Sequence, residues 1–132
     1  MKDYLLNETK KVMSELGPEC KLWGLVNNAG IARMGYVEWL KLATFRQVMD
    51  VNFFGHVAVT KAFLPFLRRC PGSRIVNISS ILGLAGTACA SPYVASKFAL
   101  EGFTQCLLAE LYGFSTQILC NDITIFQMCM FV

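Results

Sequence analysis

Two short apolar runs, each followed by a long helical pattern, constrain this 132-residue chain more than any other feature. Leu22–Asn27 (LWGLVN) reads as a buried strand, and Ala29-Gly30 opens the loop behind it. Thr44, with Gln47 three residues later, has the capping-box pattern and starts a helix expected to reach about Arg69. Phe45, Val48, Met49, Asn52, Phe53 and His56 recur along it at helical spacing, and Pro65 is expected to kink its last turns. After Pro71-Gly72, Arg74–Ser79 (RIVNIS) alternates as a second strand, followed by a small-residue loop from Gly83 to Ala90. Ser91-Pro92 supplies an N-cap and a proline at the first helical position, opening a helix to about Tyr112, with Gly113 as its stop. Strand, long helix, strand, long helix is the order of crossover connections in a parallel sheet, so the expected class is α/β. A first helix from Asn7 to Leu16, stopped by Gly17-Pro18, and a short strand early in Gln117–Val132 complete the outline.

Charge and cysteine usage exclude several function classes. The net charge is +3, and the basic residues are scattered as Lys10-Lys11, Arg68-Arg69 and Arg74, so no nucleic-acid partner is expected. Six cysteines form no CxxC and no metal-like spacing with the lone His56; they are expected to be free, mostly in apolar surroundings, in a reducing intracellular compartment and without a metal. No run of about 20 apolar residues offers a membrane span. Yet hydrophobic residues make up 55% and charged residues 16%, so apolar surface is expected in excess of what so small a domain can bury.

Tyr93 and Lys97 stand four apart at the start of the last helix and share one face. A free phenol is almost wholly protonated at neutral pH, but a neighbouring ammonium stabilises the phenolate and lets the group exchange a proton with an alcohol or carbonyl. Taken alone, Tyr and Lys at this spacing are more often an ordinary surface pair. Ser80, just past the second strand, lies where ligands collect at the carboxyl ends of α/β strands, although a turn serine would occupy the same place. Asn52 is a poor mid-helix residue and is either tolerated there or disturbs the helical hydrogen bonding.

Together, NNAG at 27–30, Asn52 in MDVNFFG, Ser80 in RIVNISSILG, and Tyr93 and Lys97 in SPYVASKFALEGF resemble the short-chain dehydrogenases/reductases over about residues 22–114. The wording is most similar to the cluster of 3-hydroxybutyrate, retinol and 17β-hydroxysteroid dehydrogenases. The resemblance implies a partial Rossmann-type doubly wound parallel sheet, the C-terminal portion of a cofactor-binding domain. It implies an oxidoreductase that uses NAD or NADP to interconvert a secondary alcohol and a ketone, on a small apolar or hydroxy-acid substrate. Tyr93 would be the general acid/base, Lys97 the cation that favours its phenolate and bonds the nicotinamide ribose, Ser80 the residue that orients the substrate oxygen, and Asn52 the holder of a relay water. Asn28, Ala29 and Gly30 would line the adenosine side of the cofactor cleft, with Asn27 bracing the sheet. Helices 44–69 and 92–112 would form a homo- or hetero-oligomer interface, and a mitochondrial or endoplasmic-reticulum membrane association follows from the resemblance alone.

The chain also departs from the family pattern. A glycine-rich TGxxxGIG turn is absent from its sequence, 21 residues precede Leu22, and the Pro-Gly expected near Ile123-Thr124 is missing. Residues 1–132 are therefore expected to form a single partial domain with an atypical tail over 115–132, inactive alone. The alternatives are a non-catalytic chain that dimerises with a longer relative, or a chain with no stable fold of its own.

Overall fold

In the computed structural model, residues 2–15, 17, 21–113 and 116–121 are described. Strands β1 (Gly24–Asn27), β2 (Arg74–Ile78) and β3 (Gln117–Asn121) form a sheet in the order β1-β2-β3, with both pairs parallel. Parallel neighbours cannot be joined by a tight turn, so each connection crosses over through helix. The first crossover contains α2 (Leu42–Met49), a π-helical segment (Asp50–Gly55) and α3 (His56–Leu67). The second contains a 3-10 turn (Ile81–Gly83) and α4 (Ser91–Glu110), while α1 (Lys2–Glu15) precedes the sheet and packs on α3. This is the α/β architecture expected from the alternation of runs.

Side-chain alternation shows where the helices lie. Asn27 and Asn77 are register partners, and the Asn27 amide donates to Asn77 Oδ1 at 2.8 Å, so both project from the same face. Asn27 also donates to Thr60 on α3, and Asn77 donates to Thr104 on α4, which puts both helices on that face. Ile75, two residues before Asn77, points the same way and packs with Leu67, Leu107, Leu111 and Ile118 in the core. Val26 has the opposite parity and is 62% exposed, although parallel strands are ordinarily covered on both faces. Part of the apolar excess in the composition is therefore located here, on the face without a helix among the described residues. Trp23, beside the same strand, is also exposed, with the Arg74 guanidinium over its ring.

Several boundaries differ from expectation. The first helix begins well before Asn7, which lies inside it; Gly17, at φ +84°, adopts the left-handed conformation that suits a helix stop. Lys41, not Thr44, caps α2, and makes no side-chain cap bond; the Thr44 N–H instead donates to the Lys41 carbonyl within the first turn. The long helix stops at Leu67, keeps Pro65 inside α3, and is interrupted earlier, at Asp50–Gly55. Ala90 rather than Ser91 caps α4, which ends at Glu110. Of the cysteines, Cys70 is buried, Cys89 half-buried and Cys106 exposed, all free; the expectation of mostly apolar surroundings holds least for Cys106. The site expected near Ile123-Thr124 and most of the atypical tail lie outside the described residues.

Candidate active site

Because β1 and β2 are parallel and in register, their carboxyl ends bring Asn28–Gly30 and Ser79-Ser80 to one edge of the sheet. α4 lays its first turns over that edge. Lys97 is 3% exposed, and its ammonium donates to the Ile78 carbonyl at 2.8 Å. A buried ammonium requires such acceptors, and this one fixes the side chain at the end of β2. The same nitrogen lies 5.6 Å from the centre of the Tyr93 ring. The four-residue spacing thus becomes a buried cation beside a half-buried phenol.

Asn52 is fully buried and spends its amide away from its own helix. Its Oδ1 accepts from the Ile31 N–H at 2.8 Å, and its Nδ2 donates to the Ile31 carbonyl at 2.9 Å and to Ser96 Oγ at 2.9 Å. Ser96 in turn donates to the Tyr93 carbonyl at 2.7 Å. One side chain therefore joins the loop after β1 to the first turns of α4. The π-helical turn carries Asn52 at the point of interruption, and Gly55 lets that turn close: a Cβ there would lie 3.3 Å from the Asp50 carbonyl.

Ser80 begins the 3-10 turn, and its Oγ accepts from the Leu82 N–H at 3.2 Å. An accepting hydroxyl keeps its own hydrogen to donate. The turn packs against α4 through Gly83, where a Cβ would meet Ser79 Oγ at 2.8 Å and Glu101 Cγ at 3.2 Å. Gly83→Ala should therefore lower stability by about 1–3 kcal/mol, measured as a shift in the urea midpoint.

Asn28, Ala29 and Gly30 are exposed. A Cβ on Gly30 would lie 3.6 Å from Asn52 Oδ1 and 4.0 Å from Lys97 Nζ, so the bare glycine leaves open the space in front of the ammonium. Four sequence-predicted residues, Gly30, Asn52, Tyr93 and Lys97, thus converge, with Ser80 two residues beyond the carbonyl that holds Lys97.

His56 and Ser96 were not foreseen. His56 is buried, and its Nε2 lies 2.8 Å from the Ala29 carbonyl. Burial, reinforced by the Lys97 charge, pushes its imidazole below the ordinary 6.5, against the raising effect of the Ala29 bond. The folded chain thus favours the neutral ring, and the unfolded chain takes up the proton first as pH falls. Stability from this residue should be full above about pH 6.5 and decline as pH drops through the lowered folded value. His56→Gln should flatten that part of the curve of denaturation midpoint against pH. No group of three or more His, Cys, Asp or Glu positioned for a metal occurs among the described residues, and no described helix is long and apolar enough to cross a membrane.

Residues 5–125 match the short chain dehydrogenase family. The chain belongs to that family. It is 48% identical over 101 residues to the mitochondrial D-beta-hydroxybutyrate dehydrogenase of Bos taurus, covering 76% of this chain and 29% of that protein. It is 48% identical over 91 residues to retinol dehydrogenase 8 of Homo sapiens, covering 69% and 29% of the two chains. Against 17-beta-hydroxysteroid dehydrogenase type 6 of Bos taurus it is 43% identical over 121 residues, covering 88% and 38%. Among solved structures, a short-chain dehydrogenase from Streptomyces avermitilis superposes with a TM-score of 0.87 at 29% identity, covering 99% of this chain and 47% of that one. This short-chain dehydrogenase chain thus spans less than half the length of each of these relatives.

Proposed function

We propose that this chain carries the proton-transfer and nicotinamide-facing part of an NAD(P)-dependent oxidoreductase that interconverts a secondary alcohol and a ketone of the hydroxybutyrate, retinoid or steroid kind. The observation that carries this reading is the buried Lys97 ammonium, anchored on the Ile78 carbonyl and 5.6 Å from the Tyr93 ring centre. In reduction the Tyr93 hydroxyl gives its proton to the substrate oxygen; in oxidation Tyr93 takes one back, beside the Lys97 ammonium. Ser80, whose oxygen already accepts from the Leu82 N–H, directs its hydrogen to the same substrate oxygen. Asn52, fixed by Ile31 and Ser96, holds the water through which Lys97 exchanges protons with solvent.

Lys97 fits the nicotinamide ribose of a dinucleotide, and Asn28–Gly30 the adenosine side of its cleft. Asn28–Gly30 expose backbone at the carboxyl end of β1, and Gly30 leaves the approach to Lys97 open. The dinucleotide, when bound, supplies the hydride acceptor or donor. The sequence contains no TGxxxGIG turn for a pyrophosphate, so we infer that the 132 residues alone do not turn over substrate. Titration of the purified chain with NADH and NADPH, followed by nicotinamide fluorescence, tests that inference, and saturable micromolar binding would overturn it. Competence of the site is tested by grafting the 101 matched residues into the bovine hydroxybutyrate dehydrogenase in place of its own. The expected result is a folded, dinucleotide-dependent enzyme; a folded graft without turnover would refute the assignment.

A second reading draws support from exposed apolar side chains along the first crossover and α4. Phe54, Phe98 and Leu108 are each about half exposed (50%, 46% and 54%). These surfaces would let the chain pair with a longer relative as a non-catalytic partner. Co-expression with such a relative and affinity capture should recover a hetero-oligomer, and recovery of separate chains would eliminate this reading.

A further inference from the structure

We propose that His56 is a positioning residue that fixes the Ala29–Gly30 peptide of the cofactor-facing segment. This rests on the reading of Asn28–Gly30 as dinucleotide-binding backbone. Asn52 already holds Ile31 by both its N–H and its carbonyl. His56 grips the same segment two residues earlier, with Nε2 2.8 Å from the Ala29 carbonyl. The two side chains stand four apart and reach the loop from adjoining turns, one in the π-helical segment and one at the start of α3.

The chemistry of the ring makes the contact directional. A carbonyl oxygen can only accept, so Nε2 carries the hydrogen and Nδ1 is left a bare acceptor. Nδ1 is buried and has no hydrogen-bond partner among the described residues. An imidazole used merely as apolar filling has no reason to aim a nitrogen at a backbone oxygen. Here Nε2 faces the Ala29 carbonyl, whose orientation sets the plane of the peptide leading into Gly30. The Lys97 ammonium lies 4.0 Å from where a Cβ on that peptide's glycine would stand. Fixing the carbonyl therefore fixes how closely the segment approaches the ammonium.

His56 is the single histidine of the chain, so its ring nitrogens give one unobscured signal. In the full chain labelled with ¹⁵N-histidine, at pH 7.5, the neutral Nε2–H tautomer is expected. An Nδ1–H tautomer, or rapid exchange between the two, would overturn the proposal without any variant. His56→Leu removes the donor at similar size, and His56→Gln restores one. The Leu variant should shift the Ala29 carbonyl carbon and Gly30 amide nitrogen, and speed exchange of the Ile31 amide about tenfold, with Gln returning both toward wild type. Amides of β2 should be unchanged in both variants. Equal effects of Leu and Gln, or none from either, would refute positioning through the hydrogen bond. NADH added to the same wild-type sample reports separately on the functional reading. Shifts confined to Asn28–Gly30 support that reading, whereas no shift at millimolar NADH counts against it and leaves the outcome for His56 to be decided by the tautomer and the variants.

Discussion

Tyr93→Phe, made in the grafted hydroxybutyrate dehydrogenase, should lower kcat about a thousandfold in both directions while leaving the dinucleotide Kd within about twofold. The substitution removes one oxygen from a half-buried ring and leaves the aromatic surface that faces Lys97. What disappears is the group that gives up or receives the proton, an interaction that matters in the transition state more than in the ground state. A loss smaller than tenfold, with an unchanged melting temperature, would show that the proton travels by another route. Lys97→Met is a less clean probe, because it also deprives the Ile78 carbonyl of its donor.

Asn77→Leu should be the most damaging change to stability, costing about 3 kcal/mol, because two buried hydrogen bonds are lost while their partners stay buried. Asn77 is fully buried; it accepts from Asn27 and donates to Thr104, whose own hydroxyl donates to the Leu100 carbonyl. Asn27 continues the chain to Thr60. The result is a polar line running from α3 through β1 and β2 to α4, beneath the strand ends that carry the site. Leucine matches the volume but leaves Thr104 without its donor. Urea denaturation should show a lower midpoint with an unchanged slope; a shift below about 1 kcal/mol would mean that the line is not coupled as drawn.

β1, β2, the parallel arrangement and α4 are legible because those segments combine an apolar or helical pattern with punctuation by Pro and Gly, whereas β3 falls in a stretch without clean periodicity. Of the candidate site, helical spacing alone leaves Tyr93 and Lys97 looking like an ordinary surface pair, and it is the four motifs together that single them out; Asn52 stands out as a poor residue for its position. What escaped was whatever depends on tertiary distance. His56 looked like one more residue on an apolar helix face, since its partner Ala29 lies 27 positions away. Ser96 contacts Asn52 across 44 positions, and nothing local marks it out from other helix serines. Thr44 with Gln47 satisfies the local capping pattern, whereas the helix starts at Leu42 after an extended Lys41, so Thr44 lies inside its first turn.

The π-helical turn at Asp50–Gly55 has a consequence for how this protein tolerates change. Such a turn accommodates one residue more than an α-helix would, so deleting a residue there would leave a chain quite able to continue as ordinary helix. Because the wider turn absorbs that extra residue, positions after it would keep their faces, while the residues within the turn would lose the geometry that turns the Asn52 amide out of the helix. His56 would stay by Ala29 and Thr60 by Asn27, but Asn52 would swing off Ile31 and Ser96 without having been altered. Length in this stretch is thus as much a determinant of the site as the identity of any side chain within it.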